Sequence, residues 1–129
     1  MKVPQNLLYT KEHEWILIEG NKGRFGITDY AQSQLGDVTY VELPARDKEV
    51  EQFKPVASVE SVKAASDVYA PLSGRIIEVN DELSSSPEQL NNAPYEKGWI
   101  AVIEIKDESE KKNLMDDKRY REYLESKTE

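Results

Sequence analysis

Short alternations of apolar and polar residues, broken by turn residues, dominate the chain up to Ile105 and predict a mainly β protein. His13 to Glu19 reads as a strand with Trp15, Leu17 and Glu19 on one face and Glu14, Ile16 and Ile18 on the other. Gly20-Asn21-Lys22-Gly23 is a turn signal, after which Arg24 to Ile27 resumes the extended pattern. The period then changes. Ile27, Tyr30, Ala31, Gln34 and Leu35 fall near i, i+3, i+4, i+7 and i+8, which predicts a short amphipathic helix at 28–35 closed by Gly36. Asp37 to Leu43 is β-branched and aromatic and stops at Pro44, whereas 45–54 reads as a charged, turn-like stretch around Val50 and Phe53. Val56 to Ser61 and Ser66 to Tyr69 are the next strands, with Val62-Lys63-Ala64-Ala65 between them, and Arg75 to Val79 and Trp99 to Ile105 complete the set. Ser86-Pro87-Glu88 reads as a helix start, with Ser86 as cap and Pro87 at the first helical position, running through Leu90.

Past Lys106 the composition shifts to helix formers. Leu114, Tyr120, Tyr123 and Leu124 form an intermittent apolar stripe, and Asp117 with Arg121 is an i,i+4 charge pair. No Pro/Ser-rich linker precedes this segment. The expectation is one domain over 1–129, with a β body at 7–105 and a C-terminal helical appendage at 107–126. Val56–Glu60 and Ile76–Asn80 are weakly alike, as a duplicated hairpin folded into a sandwich or flattened barrel would be.

Composition narrows what such a domain could do. The chain has 129 residues, 17 Lys plus Arg against 25 Asp plus Glu, and a formal charge of −8. That balance disfavours nucleic acid and anionic membranes, which reward clustered cations, and fits either protein docking or plain solubility. There is no cysteine, so any redox sulfur must come from outside the polypeptide. The N-terminus has neither an apolar signal core nor an acid-poor transit segment, and no apolar run approaches spanning length, so a cytoplasmic protein is expected.

Candidate chemistry is sparse. His13 is the only histidine, beside Trp15 in a strand-like setting, and reads as structural. No Gly-x-Gly-x-x-Gly, phosphate-loop or Gly-x-Ser-x-Gly pattern occurs, and with 25 carboxylates chance pairs identify nothing. A self-contained active site is therefore not expected. Lys63 is one of twelve lysines, but it sits among small residues, Ser61-Val62-Lys63-Ala64-Ala65, at the expected tip between two strands. Such a tip would hold the amine outward where a modifying enzyme could close over it, with Glu60 and Asp67 flanking it as recognition handles or as ordinary solubilising charges. These features alone leave a modified lysine and a solvated lysine both open.

Phe25-Gly26-Ile27-Thr28-Asp29-Tyr30-Ala31-Gln32, Leu35-Gly36-Asp37, Val41-Glu42-Leu43-Pro44, Val59-Glu60-Ser61-Val62-Lys63-Ala64, Ala70-Pro71-Leu72-Ser73-Gly74, and Pro94-Tyr95 with Gly98-Trp99 together resemble the H-protein family of the glycine cleavage system. The resemblance runs from Tyr9 to Ile105 and into the terminal segment. It implies a lipoyl carrier with a hybrid barrel-sandwich fold and no catalysis of its own. Lys63 would carry lipoate in amide linkage, with Glu60, Ser61, Val62 and Ala64 as the modification motif. The family's cofactor accepts an aminomethyl group from glycine after decarboxylation on a pyridoxal-phosphate enzyme, an aminomethyltransferase passes the one-carbon unit to tetrahydrofolate, and a flavin-containing dihydrolipoyl dehydrogenase restores the disulfide. A lipoyl ligase or octanoyltransferase would install the group. The resemblance further implies a surface cleft that shelters the loaded arm, built from the His13-Glu14 strand, the 28–35 helix and the tip near Lys63. Glu14 or Asp67 would hold the cationic adduct there.

The chain departs from the family pattern at several points. Gln34 stands where some members have histidine, the loop after Pro44 reads Ala45-Arg46-Asp47 where glycines are common, and Phe53 and Pro55 occupy positions that are frequently glycine. Asp47 tolerates a left-handed turn better than most residues. Two other functions fit the same residues: an H-like protein that relays lipoyl or octanoyl groups to other complexes, and an unmodified H-like binding module. Biotin carriage fits less well, because biotinyl lysines sit between methionines and this one sits between Val62 and Ala64. A monomer is expected.

Overall fold

The computed structural model describes residues 1–127, so the expected domain limit at 129 lies outside the described residues. In chain order the elements are β1 (Leu8–Tyr9), β2 (Glu14–Glu19), β3 (Lys22–Ile27), α1 (Asp29–Leu35), β4 (Val38–Glu42), β5 (Glu49–Val50), β6 (Pro55–Ser61), β7 (Ala65–Tyr69), β8 (Gly74–Val79), α2 (Gln89–Asn92), β9 (Ala101–Ile105) and α3 (Asp117–Lys127). Two 3-10 turns lie at Asp81–Ser84 and Glu108–Asn113. The strands form two antiparallel sheets, one of six strands in the order β1-β2-β3-β9-β8-β5 and one of three in the order β4-β6-β7. Neither sheet closes into a barrel, so of the two architectures the sequence left open it is the sandwich that forms. The two weakly similar segments fall in different sheets, in β6 and β8.

Strand β2 explains how the layers stack. Ile16 packs in the main core between the sheets together with Ile76, Leu72 and Ile103, with Ile18 against it. Trp15 points the other way, into a second core with Val3, Leu7, Tyr9, Met115 and Tyr120, and Leu17 packs against that cluster. The period-2 alternation thus supplies two apolar faces, and α3 with the N-terminal segment covers the outer one. Trp15 also donates its indole N–H to the Pro94 carbonyl at 2.9 Å. The segment before α3 is stitched to the body by Tyr9 and Met115, which exchange two backbone hydrogen bonds of 2.8 Å.

Several local expectations are corrected. His13 is not in the strand; it occupies the turn before it with φ 74°, and β2 begins at Glu14. Glu49–Val50 is a strand paired with β8, and two residues are too few to show a period. Ser86 does not cap α2, which starts at Gln89 after Glu88 with no side-chain cap; Ser86 instead accepts the Gln89 N–H on its carbonyl at 3.2 Å. The last strand begins at Ala101, not Trp99. The 107–126 appendage is two helical pieces separated by the buried Leu114 and Met115. Arg121 donates to the Val3 carbonyl at 2.8 Å, and no Asp117–Arg121 ion pair forms among the described residues. Asp47 does adopt the left-handed region, at φ 67°, and so does Phe53, at φ 66°, where glycine would be unstrained.

Gly74 sets how closely β8 approaches β9. A Cβ at this position would collide with the Glu104 backbone carbonyl and lie 2.5 Å from Ile103 Cγ2. A backbone atom cannot rotate away, so Gly74→Ala should lower the unfolding free energy by about 1–3 kcal/mol. Urea denaturation checks this, and a midpoint equal to that of the wild type would remove the close-approach argument.

Candidate functional site

The sequence Ser61-Val62-Lys63-Ala64 makes the tip of the β6–β7 hairpin, and its own side chains lock it. The Ser61 N–H donates to the Ala64 carbonyl at 2.8 Å, and Ser61 Oγ accepts the Ala64 N–H at 3.1 Å and the Lys63 N–H at 3.4 Å. Ser61 is therefore the residue that shapes the turn, as short hydroxyl side chains do. The Val62 N–H donates to the Asp37 carbonyl at 3.0 Å and ties the tip to the start of β4. Lys63 is exposed and makes no ion pair among the described residues.

Under the lysine lies the corner between α1 and β4. Thr28 caps α1 by accepting the Ala31 N–H on its hydroxyl at 3.2 Å, and Gly36 ends the helix with φ 75° and ψ −158°. Asn91 from α2 holds this corner, donating to the Gly36 carbonyl at 2.8 Å and accepting the Val38 N–H at 2.9 Å. A Cβ on Gly36 would lie 3.4 Å from Lys63 Cε, so the aliphatic stem of the lysine runs over the end of α1.

Helix α1 is also one wall of a cleft of about 190 Å³. Tyr30, Ala31, Gln34 and Leu35 line it from the helix, Glu12 and His13 from the turn before β2, Glu14 from the first position of β2, and Val59, Ser66, Asp67 and Val68 from the hairpin below the tip. Glu14 is almost fully buried there. Its Oε1 accepts from the Thr10 hydroxyl and its Oε2 accepts the Tyr69 N–H at 3.1 Å. Burial pushes its carboxyl up to about 7 against the opposing effect of those hydrogen bonds. His13 moves the other way: burial, with a smaller push from Lys127, lowers it to about 4, so its ring is neutral at pH 7. Its Nδ1 lies 2.9 Å from the Tyr120 hydroxyl.

The structure brings Glu14 and Asp67 to one cleft and puts Lys63 at its end of the hairpin, whereas Glu60 is exposed and lies outside the lining. Val62 and Ala64 are exposed tip residues flanking the lysine. Thr10 and the Tyr69 N–H, which hold Glu14, were not foreseen, because their role depends on a turn and a strand pairing with no local signature. A larger groove lined by Lys48, Lys54, Lys106, Ser73 and Glu110 shares no residue with this cleft.

An unfolded glutamate ionises near 4.5 and folded Glu14 near 7, so the folded state keeps a proton that the unfolded chain gives up between those values. The stability Glu14 carries is therefore complete below pH 4.5 and is lost as pH rises through about 7. Glu14→Gln should be more stable than the wild type by a margin that grows across this window and levels off above it. Denaturation curves at a series of pH values measure the margin, and one that stays constant with pH would contradict the upward shift.

Comparison with known proteins bears on what this arrangement is for. Residues 7–127 match the family model described as glycine cleavage H-protein. The glycine cleavage system H protein of Geobacillus thermodenitrificans is 53% identical over 120 residues, covering 93% of this chain and 94% of that protein. That of Halalkalibacterium halodurans is 51% identical over 122 residues, covering 95% of each. A crystal structure of a glycine cleavage system H protein from Mycobacterium marinum superposes with a TM-score of 0.82 at 32% identity, over 98% of this chain and 100% of that one. The lysine tip, the corner beneath it and the cleft thus sit on a shared fold, and the chain belongs to the glycine cleavage H-protein family.

Proposed function

We propose that this chain is the lipoyl-carrying shuttle of a glycine cleavage system, with Lys63 as the attachment residue. One observation carries the reading: Lys63 stands on a hairpin tip locked by Ser61, with its stem directed over Gly36 beside a cleft that holds Glu14 and Asp67. The residues fit a lipoyl group, because Lys63 is exposed and makes no ion pair among the described residues, while the cleft beside it is lined by apolar side chains with acidic groups in its wall. When bound, lipoate supplies a disulfide that the cysteine-free chain lacks. The chain's own residues do the rest. Ser61 and Asp37 fix the base of the tether, Gly36 leaves room for its stem, and Tyr30, Leu35 and Val59 exclude water from the cleft. Asp67 offers a carboxylate to a cation in the cleft. Glu14 is close to half protonated near neutrality, so a cation bound beside it would draw it toward the ionised form.

A carrier of this kind works with a pyridoxal-phosphate glycine decarboxylase, a tetrahydrofolate-dependent aminomethyltransferase and a dihydrolipoyl dehydrogenase, after modification by a lipoyl ligase or octanoyltransferase. It has no chemical step of its own. The single-domain arrangement, the monomeric state and the cytoplasmic location belong to the same reading; no described helix is long and apolar enough to cross a membrane.

Intact mass after coexpression with a lipoylating enzyme tests the attachment. One lipoyl group is expected on the wild type and none on Lys63→Arg; a wild type that stays unmodified points to a binding module instead. Glycine-dependent loading by the decarboxylase then separates the shuttle from a lipoyl relay, which would be modified but never loaded. Among loaded proteins, Glu14→Ala should lose the one-carbon unit spontaneously faster than the wild type, and an equal rate would remove Glu14 from the sheltering role.

A further inference from the structure

Tyr120 lies on α3, an element that contributes no residue to the cleft. It is fully buried, its ring stacked on Tyr9 with centroids 4.5 Å apart and planes 3° from parallel. A buried phenol needs partners for its proton and its lone pairs. Here the hydroxyl lies 2.9 Å from His13 Nδ1 and 2.8 Å from Thr28 Oγ1. Those partners belong to opposite walls of the cleft. His13 lines it from the turn before β2, and Thr28 is the N-cap of α1, whose Tyr30 and Ala31 line it from the other side. The walls also meet through the β2–β3 pairing, where Glu14 is the register partner of Ile27, through the Thr28 N–H to the His13 carbonyl at 3.0 Å, and through the His13 ring packed 4.6 Å from Tyr30.

We propose that Tyr120 is a positioning residue for the arm cleft: its hydroxyl ties His13 to Thr28, fixing the spacing of the two walls and occupying His13 Nδ1, so that Nε2 is the ring nitrogen presented to the arm. The inference rests on the arm-sheltering reading above. The proton bookkeeping closes in either direction. Thr28 Oγ1 already accepts the Ala31 N–H, so it can donate to Tyr120, which donates to His13 Nδ1 and leaves the ring proton on Nε2. With the order reversed, His13 donates from Nδ1 to Tyr120, Tyr120 donates to Thr28, and Nε2 becomes an acceptor. In both cases Nδ1 is occupied, so Nε2 is the ring nitrogen left for a ligand in the cleft, and it belongs to a neutral ring. Without the hydroxyl Nδ1 loses this partner and α1 loses one tether to the turn.

Tyr120→Phe tests this, since it keeps the ring on Tyr9 and removes only the hydroxyl. Leu124→Ala, on the same helix and packed against the second core, is the control for general loosening of α3. Two measurements are needed: the ¹⁵N resonances of the His13 ring in the unmodified chain, and the rate at which the lipoylated, loaded chain loses its one-carbon unit. Tyr120→Phe should shift the Nδ1 resonance and speed the loss roughly three- to tenfold, the effect of one hydrogen bond. Leu124→Ala should leave the resonance in place and speed the loss less, even where it costs more stability. A Tyr120→Phe resonance or rate equal to that of the wild type would overturn the proposal, and so would an equal acceleration by Leu124→Ala. If the wild type itself loses the unit as fast as an unfolded, loaded chain, the sheltering reading fails and this inference falls with it.

Discussion

Strand β2 has no solvent face along its first three residues, and most of the molecule follows from that constraint. Ile16 must be covered by the second sheet, Trp15 by α3 and the N-terminal segment, and Glu14, at the strand's first position, is carried inside with them. An apolar side chain gains roughly 1.5–3 kcal/mol from such burial, while an ionised carboxylate loses several. The fold meets the second cost locally: the Thr10 hydroxyl and the Tyr69 N–H take the two carboxylate oxygens, and the group keeps its proton to a higher pH. Because Tyr69 ends the hairpin that bears Lys63, the second of these hydrogen bonds also fastens the β7 side of the cleft to β2.

The tip obeys a different requirement. A tether of the kind proposed for Lys63 needs a fixed base and a free end, and the tip divides these two properties by residue. Ser61, Asp37 and Asn91 spend their polar groups on backbone partners at the base, whereas Val62, Lys63 and Ala64 are exposed. Gly36 belongs to the base as well, since its φ of 75° is costly for a side-chain-bearing residue and its bare Cα faces the lysine stem.

How much of this was legible in the sequence depended on whether the cause was local. The strands around Trp15, Val41, Val59 and Ile103 and the helix ending at Gly36 follow from periods of 2 and 3.6, which survive in a single sequence. So did the tip, because the small residues around Lys63 stand out between two β-branched runs. The cleft was anticipated in outline only through resemblance to a family; Glu14 and Asp67 both line it, joined by Glu12, which the sequence did not single out. What stayed hidden was set by tertiary partners. His13 lies in a left-handed turn because its ring and carbonyl are claimed by Tyr120 and Thr28, and no neighbour in sequence records that. The two-residue strand at Glu49 exists only because β8 is there to pair with it. Arg121, well spaced for Asp117, instead satisfies a carbonyl of the N-terminal segment. An exposed i,i+4 pair is worth only about 0.3–0.5 kcal/mol, so one good hydrogen bond to an otherwise orphaned carbonyl outcompetes it.

The same arithmetic limits how strongly the cleft can hold an arm. A shuttle must surrender its arm to each enzyme it visits, so the sheltered state has to be favoured without becoming a trap. A preference of about 1.4 kcal/mol already keeps the arm docked roughly nine-tenths of the time, and about 5 kcal/mol would leave so small a free fraction that every transfer would wait on release. The walls are suited to the lower figure. They offer two exposed carboxylates, Glu12 and Asp67, one carboxylate whose charge is only partly developed near neutrality, a neutral imidazole, and a narrow apolar lining. A fully ionised, unshared Glu14 would bind a cation more tightly and release it more slowly. The hydrogen bonds and burial that keep Glu14 near its midpoint therefore fit the task proposed for the cleft, to delay loss of the cargo while leaving the arm free to depart.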